Sequence, residues 1–248
     1  MTYGKELFQS GKAYGIFAEA INSVAAARPQ LRKQLVTAWD YACCWVADEP
    51  FSHRPAAPAS VLLAIMSTAL LWGWLTEAAI LGLTWAGILR IGEMLQACRQ
   101  DLVLPQDSAP GVSYDMLKIK KPKSRGRRAR HQAARVDPSD IVLLIEIAFT
   151  KKGADEKLWL LSASTLRKRL GDLLKVLKLK EAGLDEVNHF DLSSLRPGGA
   201  SWLLSVCEDS EMVRRRGRWA TTKTMDIYLQ EVLYATYGER PNLSKESR

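Results

Sequence analysis

Apolar residues recur every three or four positions in "GIFAEAINSVAA" (15–26) and "LRKQLVTAWDYACCWVA" (31–47), a period that predicts amphipathic helices. The pattern breaks at "DEPFSHRPAAP" (48–58), where Pro50, Pro55 and Pro58 mark a linker. From Ala56 to Leu89 the only charge is Glu77, which predicts a pair of helices buried on most sides. "GILRIGEML" (87–95) then restores an amphipathic period. "DLVLP" and "GVSYDMLKIKK" have strand character around a turn at 107–111, and "ARHQAARV" closes a small antiparallel sheet after the Arg125-Gly126 turn. Asp137-Pro138-Ser139 provides a capping residue and a first-turn proline for a helix over "DIVLLIEIAFTKKG". In "STLRKRLGDLLKVLKL", Leu166, Leu170, Leu173, Leu174 and Leu177 share one face. The last helices are expected to start after Pro197, near Ser210, and at Thr221 or Thr222. The pattern predicts a mainly α fold with a small antiparallel β-sheet, preceded by a short helical segment over residues 1–50.

Composition narrows the partners. With 248 residues, 47% of them apolar, the chain can bury a core as one large domain or two unequal ones. Its net charge of +8 favours a polyanion, either nucleic acid or an acidic membrane surface. Clustering sharpens this: nine basic residues lie between Met116 and Val136, with no acid between Asp115 and Asp137. They are Lys118, Lys120, Lys121, Lys123, Arg125, Arg127, Arg128, Arg130 and Arg135. Such a block repels itself unless an anion is close. "VLLAIMSTALLWGWL" (61–75) is short for a membrane span and has no flanking aromatic belt, so no membrane is expected. Cysteines 43, 44, 98 and 207 show no paired spacing, which argues against a disulfide framework or a metal site and for a reducing compartment. The N-terminus has no secretory signal, so the expected location is nuclear or cytoplasmic.

The stretch "RRRGRWATTKTMDIYLQ" (214–230) poses a chemical question, because it sets a phenol just beyond four arginines. Nucleophilic attack on a phosphodiester adds charge to the equatorial oxygens and needs fixed cations and an acid for the leaving oxygen. Arginine bonds two phosphate oxygens through one planar fork. A free tyrosine titrates near about 10, so it attacks at neutral pH only with cationic or basic help. The arrangement points to a cationic cluster that activates Tyr228 and holds the phosphate.

Three segments resemble the tyrosine recombinase (phage integrase) family. "GILRIGEMLQACRQDL" is similar to its first signature, a tight turn followed by Arg-x-x-Glu; "LSSLRPGGASWLL" is similar to its His-x-x-Arg box. "GRWATTKTMDIY" is similar to its final segment, in which His or Trp precedes the tyrosine by nine residues, as Trp219 precedes Tyr228. The "GRW" variant looks more like recombinases of the crypton and DIRS mobile elements. The resemblance covers residues 55–235. It implies a catalytic domain there, a partial core-binding-like segment at 1–50 and a tail at 236–248. It further implies Arg90 and Arg196 as a phosphate clamp, Lys123 as the acid for the leaving 5′-oxygen, and Trp219 as an indole donor to the phosphate. Glu93 would be a supporting carboxylate and Tyr228 the nucleophile of a 3′-phosphotyrosyl intermediate. Double-stranded DNA would be the partner, with assembly into dimers or tetramers on it. The covalent intermediate conserves bond energy, so no cofactor or metal is needed.

The chain also departs from the pattern. Ser193 stands where the His-x-x-Arg box begins, with His189 the nearest histidine, and serine does not titrate near neutrality. About fifty N-terminal residues are fewer than the family's helical bundle needs. A catalytically decayed DNA-binding protein is therefore the alternative reading. Other roles stay open: Arg90 pairing only with Glu93 or Glu77, Arg196 capping a helix, Trp219 as plain core, Lys120 or Lys121 in place of Lys123. Tyr234 and Tyr237 are rival phenols. Lys118, Lys120, Lys121, Arg125, Arg127, Arg128, Arg214, Arg215, Arg216 and Arg218 are the expected DNA contacts.

Overall fold

The structure, a computed structural model, describes residues 2–49, 55–122, 132–178 and 190–229. Its contacts divide the chain into two units, Met1–His53 and Arg54–Arg248. In the first, α1 (Thr2–Gln9), α2 (Tyr14–Ala27) and α3 (Val36–Asp48) enclose Phe17, Ile21, Ala42 and Trp45. The Trp45 ring meets Phe8 edge-on at 5.2 Å and stacks on Phe17 at 6.0 Å. The stretch expected to run as one helix from Leu31 begins instead as a 3-10 turn, Pro29–Leu35. No side chain of that turn is fully buried, and the α-helical period takes over in α3, which buries Ala42 and Trp45.

The second unit starts with α4 (Ala59–Leu71) and α5 (Leu75–Ala86). Every residue of α5 from Glu77 to Trp85 is buried, which explains a run with almost no charge. Its one acid, Glu77, pairs with Arg169, whose guanidinium lies 5.1 Å from the Trp74 ring centre. A short α6 (Ile91–Leu95) leads into a three-stranded antiparallel sheet of β1 (Leu102–Val103), β2 (Asp115–Ile119) and β3 (Gln132–Val136), in that order. Leu117 is opposite both Leu102 and Ala134. Then follow α7 (Ser139–Phe149) and α8 (Ala163–Val176), which buries Leu166, Leu170 and Leu173. The chain closes with α9 (Leu195–Cys207), α10 (Ser210–Arg216) and α11 (Thr222–Asp226). Among the described residues no helix is long and apolar enough to cross a membrane.

Two helix starts differ from the sequence expectation. Pro138 itself occupies the cap position of α7 and no side chain caps it. Asp137 is drawn off by Arg135 at 2.5 Å and Arg216 at 2.6 Å, and two guanidinium groups outcompete a backbone N–H for one carboxylate. Helix α9 starts at Leu195, two residues before Pro197, because a proline in the first helical turn lacks only an N–H that has no intrahelical partner there.

Helix α9 packs against α5 at backbone distance. A Cβ on Gly198 would overlap the Ala57 carbonyl oxygen and the Trp85 indole, and one on Gly199 would overlap the Trp85 carbonyl. The Ala57 carbonyl also accepts the Trp85 indole N–H at 2.9 Å. This contact fixes the height of Arg196, one turn earlier on α9. Strand alternation puts Asp115 on the core face with Leu117 and Ile119. It is fully buried, and neither carboxylate oxygen has a hydrogen-bond partner among the described residues. Burial, then the nearby Glu146 and Asp107, push its pKa up to about 7 against the pull of Arg99.

Both features predict measurable effects. A carboxyl whose folded pKa is raised stabilises the fold fully below its unfolded value of 3.8, and that contribution is lost as pH rises through about 7. The melting temperature of the wild type should therefore drop between pH 5 and 8 more than that of Asp115→Asn, read by thermal denaturation; parallel curves would remove the assignment. Gly199→Ala gains about 1 kcal/mol of helix propensity but meets backbone that cannot yield. Its net effect should be a loss of roughly 1–3 kcal/mol, seen as a lower urea midpoint with unchanged slope.

Candidate functional site: a buried arginine cluster beside Tyr228

The turn from α5 to α6 contains an unusual backbone. Ile88 has φ of 47°, a left-handed conformation that costs a β-branched residue about 1–2 kcal/mol. Its side chain is anchored in a small core with Ala200, Val213, Trp219 and Met225. Its carbonyl accepts two hydrogen bonds, from Arg196 Nη1 at 2.7 Å and Arg218 Nη2 at 3.2 Å. Two residues on, Arg90 caps α6. Glu93 receives the Arg90 backbone N–H at 3.0 Å and its guanidinium at 2.9 Å. Arg218 Nη2 reaches the same carboxylate at 2.8 Å, and both side chains of that pair are 5% exposed. Burial works to raise the Glu93 pKa, but Arg218 and Arg90 outweigh it and hold the carboxyl below its usual range.

Arg196 is the centre of this arrangement. It is buried in the first turn of α9, and Nη2 bonds the Gly217 carbonyl at 2.5 Å. Burial, with Arg218 and Arg90 close by, pushes its pKa down to about 9, so it still carries its charge at neutral pH. Its guanidinium carbon lies 4.6 Å from the Trp219 ring centre and 5.6 Å from that of Tyr228. The two rings are 5.2 Å apart. Two donors here are buried without a hydrogen-bond partner among the described residues, Arg196 Nε and the Trp219 indole N–H. Among the described residues three guanidinium groups, those of Arg90, Arg196 and Arg218, face one carboxylate, an excess of two positive charges. Both imbalances ask for an anion that accepts hydrogen bonds.

The backbone after α10 delivers the aromatic pair. Gly217 leaves room for the Trp219 ring, which a Cβ would overlap. Arg214 Nη1 bonds the Trp219 carbonyl at 2.9 Å. Thr221 caps α11, and Tyr228 sits in the turn that follows, its N–H on the Met225 carbonyl at 2.7 Å. Half-buried, it packs on the same core as Ile88 and Trp219.

The structure thus brings Arg90, Glu93, Arg196, Trp219 and Tyr228 together. Glu77 is not the partner of Arg90, since Arg169 holds it. Lys123, Arg125, Arg127, Arg128, His189, Tyr234 and Tyr237 lie outside the described residues. Ser193 is exposed on a 3-10 turn, Leu192–Ser194, and no hydrogen bond or ion pair ties it to the cluster among the described residues. On the basic strand, Lys118 and Lys121 are exposed, whereas Lys120 pairs with Asp101 at 3.0 Å, which raises its pKa. Arg214 and Arg215 share Glu211 at 2.6 and 2.9 Å, drawing its carboxyl down to about 2. Arg216 pairs with Asp137. Arg218, expected among the DNA contacts, is instead buried at 6% exposure behind Glu93. Sequence reasoning gave no role to Ile88 and no internal partner to Arg218; the only local sign was an arginine directly after a turn glycine. Among the described residues no group of three or more metal-ligating side chains occurs.

Neither a family model nor a curated protein matches the sequence. Solved structures do match in fold. The Tn1549 transposon integrase in complex with transposon right-end DNA is similar with a TM-score of 0.64 and 10% identity, over 92% of this chain and 79% of that one. The XerA recombinase is similar with a TM-score of 0.53 and 13% identity, over 94% and 86%. A lambda integrase dimer bound to a COC′ core site gives 0.51 and 14%, over 89% of this chain and 65% of that one. The chain, mainly helical with a small three-stranded antiparallel sheet, has the fold of a tyrosine recombinase catalytic domain.

Proposed function

We propose that the chain breaks and rejoins double-stranded DNA through a 3′-phosphotyrosyl intermediate on Tyr228. The observation that carries this reading is the pair of buried donors with no partner among the described residues, Arg196 Nε and the Trp219 indole, packed against the phenol of Tyr228. A phosphodiester supplies what they require: negative charge and several acceptor oxygens. Arg90 and Arg196 clamp the non-bridging oxygens, and the excess charge of the cluster stabilises the crowded transition state. The phenol oxygen forms a bond to phosphorus as the bond to the 5′-oxygen breaks. Lys123 gives that oxygen its proton. Attack by a 5′-hydroxyl then reverses the step and frees Tyr228, with no net change in bond energy. DNA-bound neighbours of the same fold support a DNA partner.

Finer assignments belong to the same reading. Residues 55–235 form the catalytic domain, 1–50 a partial core-binding-like segment and 236–248 a tail. The "GRW" segment relates the chain to crypton and DIRS recombinases, and dimers or tetramers assemble on DNA. A second reading, a DNA-binding protein that has lost cleavage, is favoured by one observation: exposed Ser193 stands at the position of the family histidine and has no tie to the cluster among the described residues.

Two experiments test the proposal. On a nicked suicide duplex, wild type should give a protein–DNA adduct on a denaturing gel, and Tyr228→Phe should give none while binding DNA with nearly unchanged affinity. An adduct that survives this change, or is lost with Tyr234→Phe, assigns the wrong phenol. Lys123→Ala should slow cleavage by about a hundredfold or more, as loss of a general acid does, and Ser193→Ala by less. A duplex with sulfur at the 5′-bridging position needs no protonation and should restore the rate of Lys123→Ala alone. Failure to do so moves the acid to Lys121 or Lys120.

A further inference from the structure

We infer that Arg218 is a positioning residue of the phosphate site: bridging Glu93 and the Ile88 carbonyl, it keeps Arg90 and Arg196 aligned on one anion. The inference rests on the reading of the cluster as a phosphodiester site, and it assigns a task to a residue outside the clamp, the acid and the nucleophile.

Arg218 occupies a backbone that glycine would fit better. Its φ is 58°, in the left-handed region. Its neighbour Gly217 has an ordinary negative φ of −76°, so the strain falls on the arginine. The guanidinium is where the compensation lies. Nη2 donates to Glu93 at 2.8 Å and to the Ile88 carbonyl at 3.2 Å; Nη1 reaches the Gly87 and Arg216 carbonyls at 3.4 and 3.3 Å. One planar group therefore ties the turn before α11 to the turn before α6. Lysine has a single nitrogen and cannot span these acceptors. It is Arg196, not Arg218, whose guanidinium lies over the Trp219 and Tyr228 rings, so Arg218 acts through its neighbours.

The linkage has a pH signature. Among the described residues, Arg218 from the turn after α10 and Arg90 at the start of α6 act on Glu93, and Arg196 from α9 responds to its charge. Burial opposes its ionisation, and Arg218 is the largest opposing influence. Without Arg218, burial raises the Glu93 pKa. Once protonated, Glu93 no longer accepts from both the backbone and the guanidinium of Arg90, and the clamp loosens. The variant should therefore lose cleavage as pH falls, in a range where wild type does not.

The test uses the full chain and single-turnover adduct formation on the suicide duplex at saturating DNA. Wild type, Arg218→Gly, Arg218→Lys and the double variant Arg218→Gly/Glu93→Gln are compared across about pH 5.5 to 8.5. Glycine accepts the left-handed backbone, so Arg218→Gly should still fold, with a melting temperature lowered by the lost hydrogen bonds, and should bind DNA with similar affinity. Its rate should fall by about a hundredfold, the scale of a slight misplacement of reacting groups, and should rise with pH. Lysine should not rescue it, and the double variant should lose the added pH dependence because glutamine cannot titrate. Wild-type rates and pH profiles in Arg218→Gly or Arg218→Lys would overturn the inference.

If wild type forms no adduct, the cleavage reading fails by itself. Positioning is then read with inorganic phosphate. Phosphate should raise the melting temperature of wild type and not that of Arg218→Gly, and equal shifts would overturn the role of Arg218.

Discussion

The Ile88 carbonyl accepts hydrogen bonds from two buried arginines, Arg196 and Arg218, that follow it in the chain by 108 and 130 residues. Hydrogen bonds from charged donors contribute roughly 1.5–3 kcal/mol each, more than the left-handed backbone of Ile88 costs. The strain is local and the compensation is remote. Through this oxygen the turn between α5 and α6 is tied to α9 and to the segment that carries Trp219. Glycines 198 and 199 let α9 approach α5 closely enough for Arg196 to reach it. The small core around Ile88 then packs Tyr228 against the same arginine.

Electrostatics distinguishes this cluster from the other arginines. Arg214 and Arg215 share Glu211 in solvent, and Arg216 shares Asp137 with Arg135. Such exposed pairs contribute little and are screened by salt. Around Glu93 the excess is larger and lies inside the protein, with three guanidinium groups among the described residues, two of them buried, against one carboxylate. Buried charge in excess destabilises a fold unless something answers it. Arg196 Nε and the Trp219 indole, buried with no hydrogen-bond partner among the described residues, point to the same deficit. The proposed phosphodiester beside Tyr228 would resolve both.

Much of the scaffold is legible in the sequence because it is governed by local period. The run from Ala56 to Leu89, with Glu77 its only charge, gives α5, buried from Glu77 to Trp85, and α4, expected to be buried as well but leaving Leu63, Leu70 and Leu71 exposed. The leucines of α8 mark its inner face, and alternation marks β2. Where distant partners decide, local reading fails. Asp137 has the identity and position of a cap, yet Arg216, 79 residues away, takes it. Arg218 looks like one more surface arginine in a basic run, yet Glu93, 125 residues earlier, draws it inside. The order of arginines, tryptophan and tyrosine was readable as a pattern through its resemblance to the recombinase signatures. The meeting of Arg196 and Arg218 at the Ile88 carbonyl was not, because it depends on a strained turn that no residue type announces.

The central claim is that the cluster serves a phosphate attacked by Tyr228, and the most direct test is to identify the residue that carries DNA. The suicide-duplex adduct is digested with nuclease and protease, and the remaining peptide is sequenced by tandem mass spectrometry. The account predicts a single nucleotide joined through its 3′-phosphate to Tyr228. A nucleotide on another residue, or a link through a 5′-phosphate, would contradict it.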